Sequence, residues 1–210
     1  MNLKQCDRIS GLYAITPDEQ DTIQLVGKVR LALLGGAQVL QYRNKVADST
    51  VRLEQARALR ELTREFDIPL IINDDFPLAL SVAADGVHLG GADSSVADAR
   101  AVLGSGKFIG VSCYNQIALA HEAVSLGADY VAFGSFFNSI VKPDAVTATF
   151  ELLRQARHEM AVPLVAIGGI TLQNGGQLCK AGANSLAVIS ALFDAKDIQR
   201  TARQFATLIT

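Results

Sequence analysis

The chain has 210 residues, half of them apolar, and a formal charge of −2 at pH 7. That length and apolar content suffice for one sizeable core and fit a single domain over residues 1–210. With no basic stretch there is no electrostatic footprint for nucleic acid or a lipid surface, and no apolar run reaches the roughly 18 residues of a membrane helix.

The first ten residues, from Met1 to Ser10, are polar and lack the apolar centre of a signal peptide. Cys6, Cys113 and Cys179 are odd in number and carry no CxxC spacing. They speak against a disulfide framework or structural zinc and suit a reducing cytoplasm, with each thiol read as a small buried side chain. The sequence leaves a homo-oligomer open.

The first strand is expected over Leu12–Thr16 and the second over Val39–Arg43. Gln41, Arg43 and Lys45 follow with period two, so a strand that continued that far would place all three on one face. Arg supplies a planar fork of donors and Lys a point charge, a pair suited to phosphate or diphosphate. Surface charge at a strand end is the plainer reading. A helix follows over Val51–Leu62, where Leu and Ala recur at three- and four-residue steps.

The third strand, Leu70–Asn73, runs into Asp74 and Asp75, and the fourth, Gly86–Leu89, is followed by Asp93. Carboxylates at neighbouring strand ends can share a divalent cation, and oxygen-only ligation points to Mg²⁺. Asp93 can equally cap the helix over Val96–Leu103, and Asp75 reads best as a loop residue. His88, inside the fourth strand, reads as core or as support for the site rather than as an acid–base group.

Ser112 ends the fifth strand, Phe108–Ser112, either as a donor to a phosphate oxygen or as polar lining. No histidine is near it in sequence and no G-x-S-x-G elbow is present, which disfavours a hydrolase. A helix over Ile117–Leu126 leads to the sixth strand, Tyr130–Gly134, and a long loop that carries Ser139 and Lys142. Such loops are often functional. After a helix over Phe150–Glu159 comes the seventh strand, Leu164–Ile167, with Gly168-Gly169 behind it. The eighth, Leu186–Ser190, precedes a helix, and the last helix is expected over Ile198–Leu208.

Strand and helix alternate throughout, which means a parallel sheet with right-handed crossovers. Eight such units favour closure into a (β/α)₈ TIM barrel over an open sheet. Gly36-Ala37, Gly127-Ala128 and Gly182-Ala183 recur just ahead of strands, and Ala84-Asp85-Gly86 does similar work. Cations, carboxylates and hydroxyls at successive strand ends then form one site, because function in such barrels sits at the C-terminal mouth. One side suits Mg²⁺ with a diphosphate, and the loops after strands seven and eight suit a monophosphate. With no strong general base in view, departure of diphosphate followed by attack of a neutral nucleophile fits these residues.

Several motifs in order, Gln41-Tyr42-Arg43-Asn44-Lys45, Ile71-Ile72-Asn73-Asp74, Asp85-Gly86-Val87-His88-Leu89-Gly90 with Asp93, Ile109-Gly110-Val111-Ser112, Gly127–Gly134 with Lys142, Ala166–Ile170 and Val188-Ile189-Ser190, resemble the thiamine-phosphate synthase family over nearly the whole chain. The resemblance implies a (β/α)₈ barrel that joins a hydroxymethylpyrimidine diphosphate to a thiazole phosphate and releases diphosphate. It implies that Gln41, Arg43, Lys45, Asn73, Ser112 and Lys142 hold the pyrimidine diphosphate, with Arg43, Lys45, Ser112 and Lys142 as the catalytic set. It gives Mg²⁺ to Asp74 and Asp93, and the thiazole phosphate to Ser139, Ile140, Val141, Gly169, Ile189 and Ser190. It also implies a dissociative course through a pyrimidine-stabilised methylene cation. Small phosphorylated molecules are the expected partners.

The chain departs from the family in places. The loop usually reads Pro-Thr-x-Thr-Lys; here it is Asn138-Ser139-Ile140-Val141-Lys142, which loses one hydroxyl at Val141. Asp75 stands where Arg is frequent, Gly91 where Gln is, and Tyr114 where His is. A thiazole tautomerase shares the fold without the diphosphate apparatus, and a non-catalytic ligand-binding barrel is the alternative from another class.

Overall fold

Eight short parallel strands close on themselves, each paired with the next and β8 with β1. The computed structural model describes residues 8–90, 95–137 and 147–209. In chain order the elements are β1 (Gly11–Ile15), α1 (Thr22–Leu34), β2 (Ala37–Tyr42), α2 (Ser49–Glu65), β3 (Leu70–Asn73), α3 (Phe76–Ser81), β4 (Gly86–Leu89) and α4 (Val96–Leu103). They continue with β5 (Phe108–Tyr114), α5 (Ile117–Ser125), β6 (Tyr130–Phe133), α6 (Phe150–Glu159), β7 (Leu164–Ile167), α7 (Gly175–Lys180), β8 (Ser185–Val188), α8 (Ser190–Phe193) and α9 (Ile198–Ala206). The (β/α)₈ barrel expected from the alternation is the fold observed.

The strands are near-continuously apolar because both faces are buried. In β1, Leu12 and Ala14 turn outward into the layer shared with the helices, while Tyr13 and Ile15 turn inward. The interior is filled by Tyr13, Val39, Ile71, Phe108, Tyr130 and Val165, among others. It is a packed core and not a pore.

Five strands end elsewhere than expected: β1 at Ile15, β6 at Phe133 and β5, two residues on, at Tyr114, while the ends of β2 and β8 bear on the site. The second strand stops at Tyr42. The Arg43 N–H donates to Thr16 Oγ1 at 2.9 Å and the same hydroxyl donates to the Arg43 carbonyl at 2.8 Å, so pairing passes from the ladder to a side chain. Asn44 then accepts from Val46 N and Ala47 N in an Asx-type turn. Arg43 and Lys45 therefore lie on a turn and do not share a strand face with Gln41. The eighth strand stops at Val188, and Ser190 opens α8 instead of ending the strand. The Ile189 carbonyl already accepts from Leu192 N and Phe193 N.

Helix α1 was not singled out by periodicity, since Ile23, Leu31 and Leu34 are exposed and blur its apolar stripe. Its signal is the cap: Asp21 accepts from Ile23 N and Gln24 N. The brief helices α3, with Pro77 in its first turn, and α7, with two glycines, are too short to show a period.

The small-residue repeat ahead of the even strands marks a repeated clamp at the N-terminal end of the barrel. Asp85 accepts from Leu70 N at 2.8 Å and from Arg60 at 2.5 Å. Asp129 accepts from Ile109 N at 2.8 Å and from Arg100 at 2.5 Å. Asn184 accepts from Leu164 N at 2.9 Å and from Arg157 at 3.1 Å. The residues ahead of β4, β6 and β8 thus each hold a backbone N–H at the start of the preceding odd strand, together with an arginine from the helix before it.

Candidate active site

Arg43, Lys45 and Arg52 line one cleft of about 560 Å³ with Asn73, Asp74 and Asp75, between the ends of β2 and β3. Asp18 braces the cationic wall: it accepts the Lys45 N–H at 2.8 Å and lies 3.6 Å from the Arg43 guanidinium. Asp75 is engaged by Arg52 and caps α3 by accepting from Leu78 N. It is a structural loop residue, as its sequence context suggested.

Asp74 is different. It adopts a left-handed backbone at φ 58° just past β3, a region Asp and Asn tolerate better than most residues. Its N–H donates to the His88 carbonyl at 2.9 Å, and its Oδ1 accepts from Gly90 N at 2.9 Å. The Asn73 amide donates to Oδ2 at 2.6 Å. The carboxylate is exposed at the mouth, held by neutral donors, and among the described residues it faces no cation within ion-pair distance. Such a group suits Mg²⁺, which takes one or two carboxylates and completes its shell with water and substrate phosphate. Among the described residues no three acidic, histidine or cysteine side chains cluster as a ready-made metal cage. Asp93, the expected second ligand, lies outside the described residues, as do Ser139, Ile140, Val141 and Lys142.

A chain of hydrogen bonds crosses the barrel interior from β2 to β5. Gln41 Nε2 donates to Tyr13 Oη at 2.9 Å, and the two tyrosine hydroxyls, Tyr13 and Tyr130, meet at 2.8 Å. His88 Nδ1 lies 3.1 Å from Tyr130 Oη, and its Nε2 lies 2.9 Å from Ser112 Oγ. Burial holds the His88 pKa down at about 4, only partly offset by the Asp74 charge, so the ring is neutral near pH 7. Burial likewise raises both tyrosine pKa values, and these hydroxyls stay protonated. Gly110 makes the arrangement possible: a Cβ there would fall 1.9 Å from Tyr130 Cζ.

Sequence reading found Gln41 and Ser112, the two ends of this chain, and read His88 as core or as support for the site. It missed Tyr13 and Tyr130. The available signal was that a tyrosine inside an apolar strand needs a partner for its hydroxyl. No sequence distance could show that His88 touches Ser112; adjacency of β4 and β5 does that.

Across the mouth, the loops after β6 and β7 are pressed together. Phe136 N and Phe137 N donate to the carbonyls of Ile167 and Gly168. Gly168 has φ 102°, and a Cβ there would lie 2.2 Å from Ser135 Oγ. Asn174 holds the Gly169 carbonyl at 3.0 Å. Ile189 and Ser190 lie beside this turn in sequence order around the barrel, at the start of α8, where the first N–H groups of a helix have no intrahelical acceptor. Cys113 is buried, with its thiol pushed up to about 12, and Cys179 is half-buried with its pKa also raised by burial. Both are the inert small side chains expected; Cys6 lies outside the described residues.

A closed (β/α)₈ barrel with cations, a carboxylate and a hydroxyl gathered at its C-terminal mouth defines an enzyme of the barrel class. The sequence profile described as thiamine monophosphate synthase matches residues 12–192. A thiamine-phosphate synthase of Nitrosospira multiformis is 51% identical over 211 residues, covering 98% of this chain and 90% of its own. One from Methylobacillus flagellatus is 56% identical over 200 residues, 95% of each chain. Among solved structures, thiamine phosphate pyrophosphorylase from Pyrococcus furiosus superposes with a TM-score of 0.88 at 35% identity, over 98% of this chain and 97% of that one. The chain belongs to the thiamine monophosphate synthase family, and it is a transferase of thiamine biosynthesis. Among the described residues no helix is long and apolar enough to cross a membrane.

Proposed function

We propose that the chain joins 4-amino-2-methyl-5-(diphosphomethyl)pyrimidine to 4-methyl-5-(2-phosphoethyl)thiazole to give thiamine phosphate and diphosphate, or to the carboxylate of that thiazole to give the same products with loss of CO₂ and uptake of one proton. The observation that carries this reading is the cleft in which Arg43 and Lys45 stand with the Asp74 carboxylate, at the open end of the barrel. A diphosphate needs cations on its oxygens, and a carboxylate among those cations makes chemical sense as a residue that would hold a divalent ion, which would add positive charge there.

Arg43 and Lys45, with Lys142, neutralise the diphosphate, and Ser112 donates to it. Gln41 and Asn73 orient the pyrimidine. Gly169, Ile189 and Ser190, with Ser139, Ile140 and Val141, take the thiazole phosphate on backbone N–H groups and one remaining hydroxyl. Asp74 and Asp93 hold Mg²⁺, which when bound supplies positive charge for the leaving group. The bond between the methylene carbon and the diphosphate oxygen breaks first, and its electron pair leaves with diphosphate. The 4-amino group of the pyrimidine feeds the resulting cation, and the thiazole nitrogen lone pair forms the new carbon–nitrogen bond. No proton has to be removed. That agrees with His88, the buried imidazole behind Ser112, being neutral and bonded through both nitrogens. We place the chain in the cytoplasm, the compartment that the free thiols of Cys113 and Cys179 suit.

The test is purified protein with both substrates and Mg²⁺, and thiamine phosphate followed as fluorescent thiochrome after oxidation. Product that disappears with EDTA and returns with added Mg²⁺ is the expected result. Folded protein that binds the pyrimidine diphosphate and forms no product would overturn it.

A further inference from the structure

We propose that the hydrogen-bond chain inside the barrel runs one way, from Gln41 to Ser112, and that His88 and Tyr130 are positioning residues that turn the Ser112 proton toward the mouth. The inference deepens the reading above, resting on it for the identity of the anion that Ser112 meets.

Each tyrosine hydroxyl has one proton to give. Gln41 Nε2 can only donate, so Tyr13 Oη receives there and its own proton goes to Tyr130, 2.8 Å away. Tyr130 in turn donates to His88 Nδ1 at 3.1 Å, which requires that nitrogen to be bare. With Nδ1 occupied as an acceptor, the ring proton is on Nε2, which donates it to Ser112 Oγ at 2.9 Å. With one lone pair of Ser112 filled from inside the barrel, its own proton is left for the mouth.

Turning the Gln41 amide over would reverse every bond. Tyr13 would donate to Gln41, His88 would carry its proton on Nδ1, and Ser112 would donate inward. The mouth would then meet only serine lone pairs, which repel an anion held by Arg43 and Lys45. The amide orientation and the charge of the ligand therefore select the same direction. Gly110 serves it as well, since any side chain there would push the Tyr130 hydroxyl off the line.

The direct test is the His88 tautomer. His121 and His158 are exposed on helices, so a His121→Gln/His158→Gln protein labelled with ¹⁵N-histidine leaves one ring to observe. Long-range ¹H–¹⁵N correlation near neutral pH is expected to show a protonated Nε2 and a bare Nδ1. A proton on Nδ1, or on both nitrogens, overturns the proposal. Turnover supplies the second test. His88→Leu is expected to lower kcat about tenfold, the size of one lost hydrogen bond. His88→Gln, whose amide N–H can reach Ser112, is expected to recover most of that with KM for the pyrimidine diphosphate little changed. Equal losses in both variants would mean His88 only fills space and would overturn the positioning role. An Nε2 proton combined with undiminished turnover in Ser112→Ala would keep the proton order and remove Ser112 from the diphosphate site, which separates failure of the functional reading from failure of this one.

Discussion

At the N-terminal end of the barrel, Asp85 and Asp129 each accept an N–H at the start of a strand and an arginine, and Asn184 does the same without a charge. At the C-terminal end, Asp74 is exposed, and among the described residues neither it nor Lys45 has an ion-pair partner. The same residue types thus serve opposite ends differently. Matched charge that is partly buried clamps the strands. Charge left for a ligand at the mouth contributes little to holding the fold and is available for binding. The barrel class assigns stability to one face and chemistry to the other, and the hydrogen bonds divide in the same way.

That contrast can be broken most forcefully at Asp74. Asn keeps its shape, tolerates the left-handed backbone and still accepts from Gly90 N, so Asp74→Asn removes the charge and, with it, only the solvent-side bond from the Asn73 amide. Turnover with both substrates is expected to fall about 100- to 1,000-fold, with the melting temperature unchanged; a large drop in melting temperature would place Asp74 among the structural residues.

Acid probes the buried chain that runs from Gln41 to Ser112. His88 has a native pKa of about 4 against a reference of 6.5. The unfolded chain takes up its proton first, so the stability this burial contributes is complete above about pH 6.5 and is lost as pH falls toward 4. The window is worth roughly 3 kcal/mol. Urea midpoints measured near neutral pH and near about pH 4.5 should therefore differ less in His88→Gln than in the parent; an equal difference would mean the imidazole is not protected.

At the clamped end, Asp85→Ala removes the acceptor for Leu70 N and strands Arg60, both sheltered from solvent. A loss of about 2–3 kcal/mol is expected, or roughly 5–10 °C in melting temperature, with kcat at 25 °C retained; loss of kcat without loss of stability would erase the distinction between the ends. The smallest effect is expected for Val141→Thr, where one restored hydroxyl should lower KM for the thiazole phosphate severalfold, about 1 kcal/mol. An unchanged KM would mean that the loop backbone suffices.

Most of the scaffold was legible because its signals are local. Apolar runs such as Leu70–Asn73 and Leu164–Ile167 were recovered with their observed bounds, and Phe150–Glu159 likewise. The two misplaced ends that bear on the site have specific causes. The second strand was carried to Arg43 because alternation continues past Tyr42, while the Thr16 hydroxyl and the Asn44 turn, which end it, involve residues far apart in sequence. The eighth was carried through Ser190 because a four-residue helix has no period to show. In the site, polar residues at strand ends were visible one by one. Their connections were not: the contacts of Gln41 with Tyr13 and of His88 with Ser112 depend on barrel closure and register. The small-residue repeat was visible too, with Gly36, Gly127 and Gly182 in the left-handed backbone that follows a helix, while the arginine clamp beside three of its four copies was not.

The most direct measurement is thiamine phosphate formation at 25 °C by Asp74→Asn and Asp85→Ala side by side with the parent, all three shown to be folded at that temperature. The division of the barrel predicts near-parental kcat for Asp85→Ala and almost none for Asp74→Asn. Near-parental turnover by Asp74→Asn, or loss confined to Asp85→Ala, would contradict it.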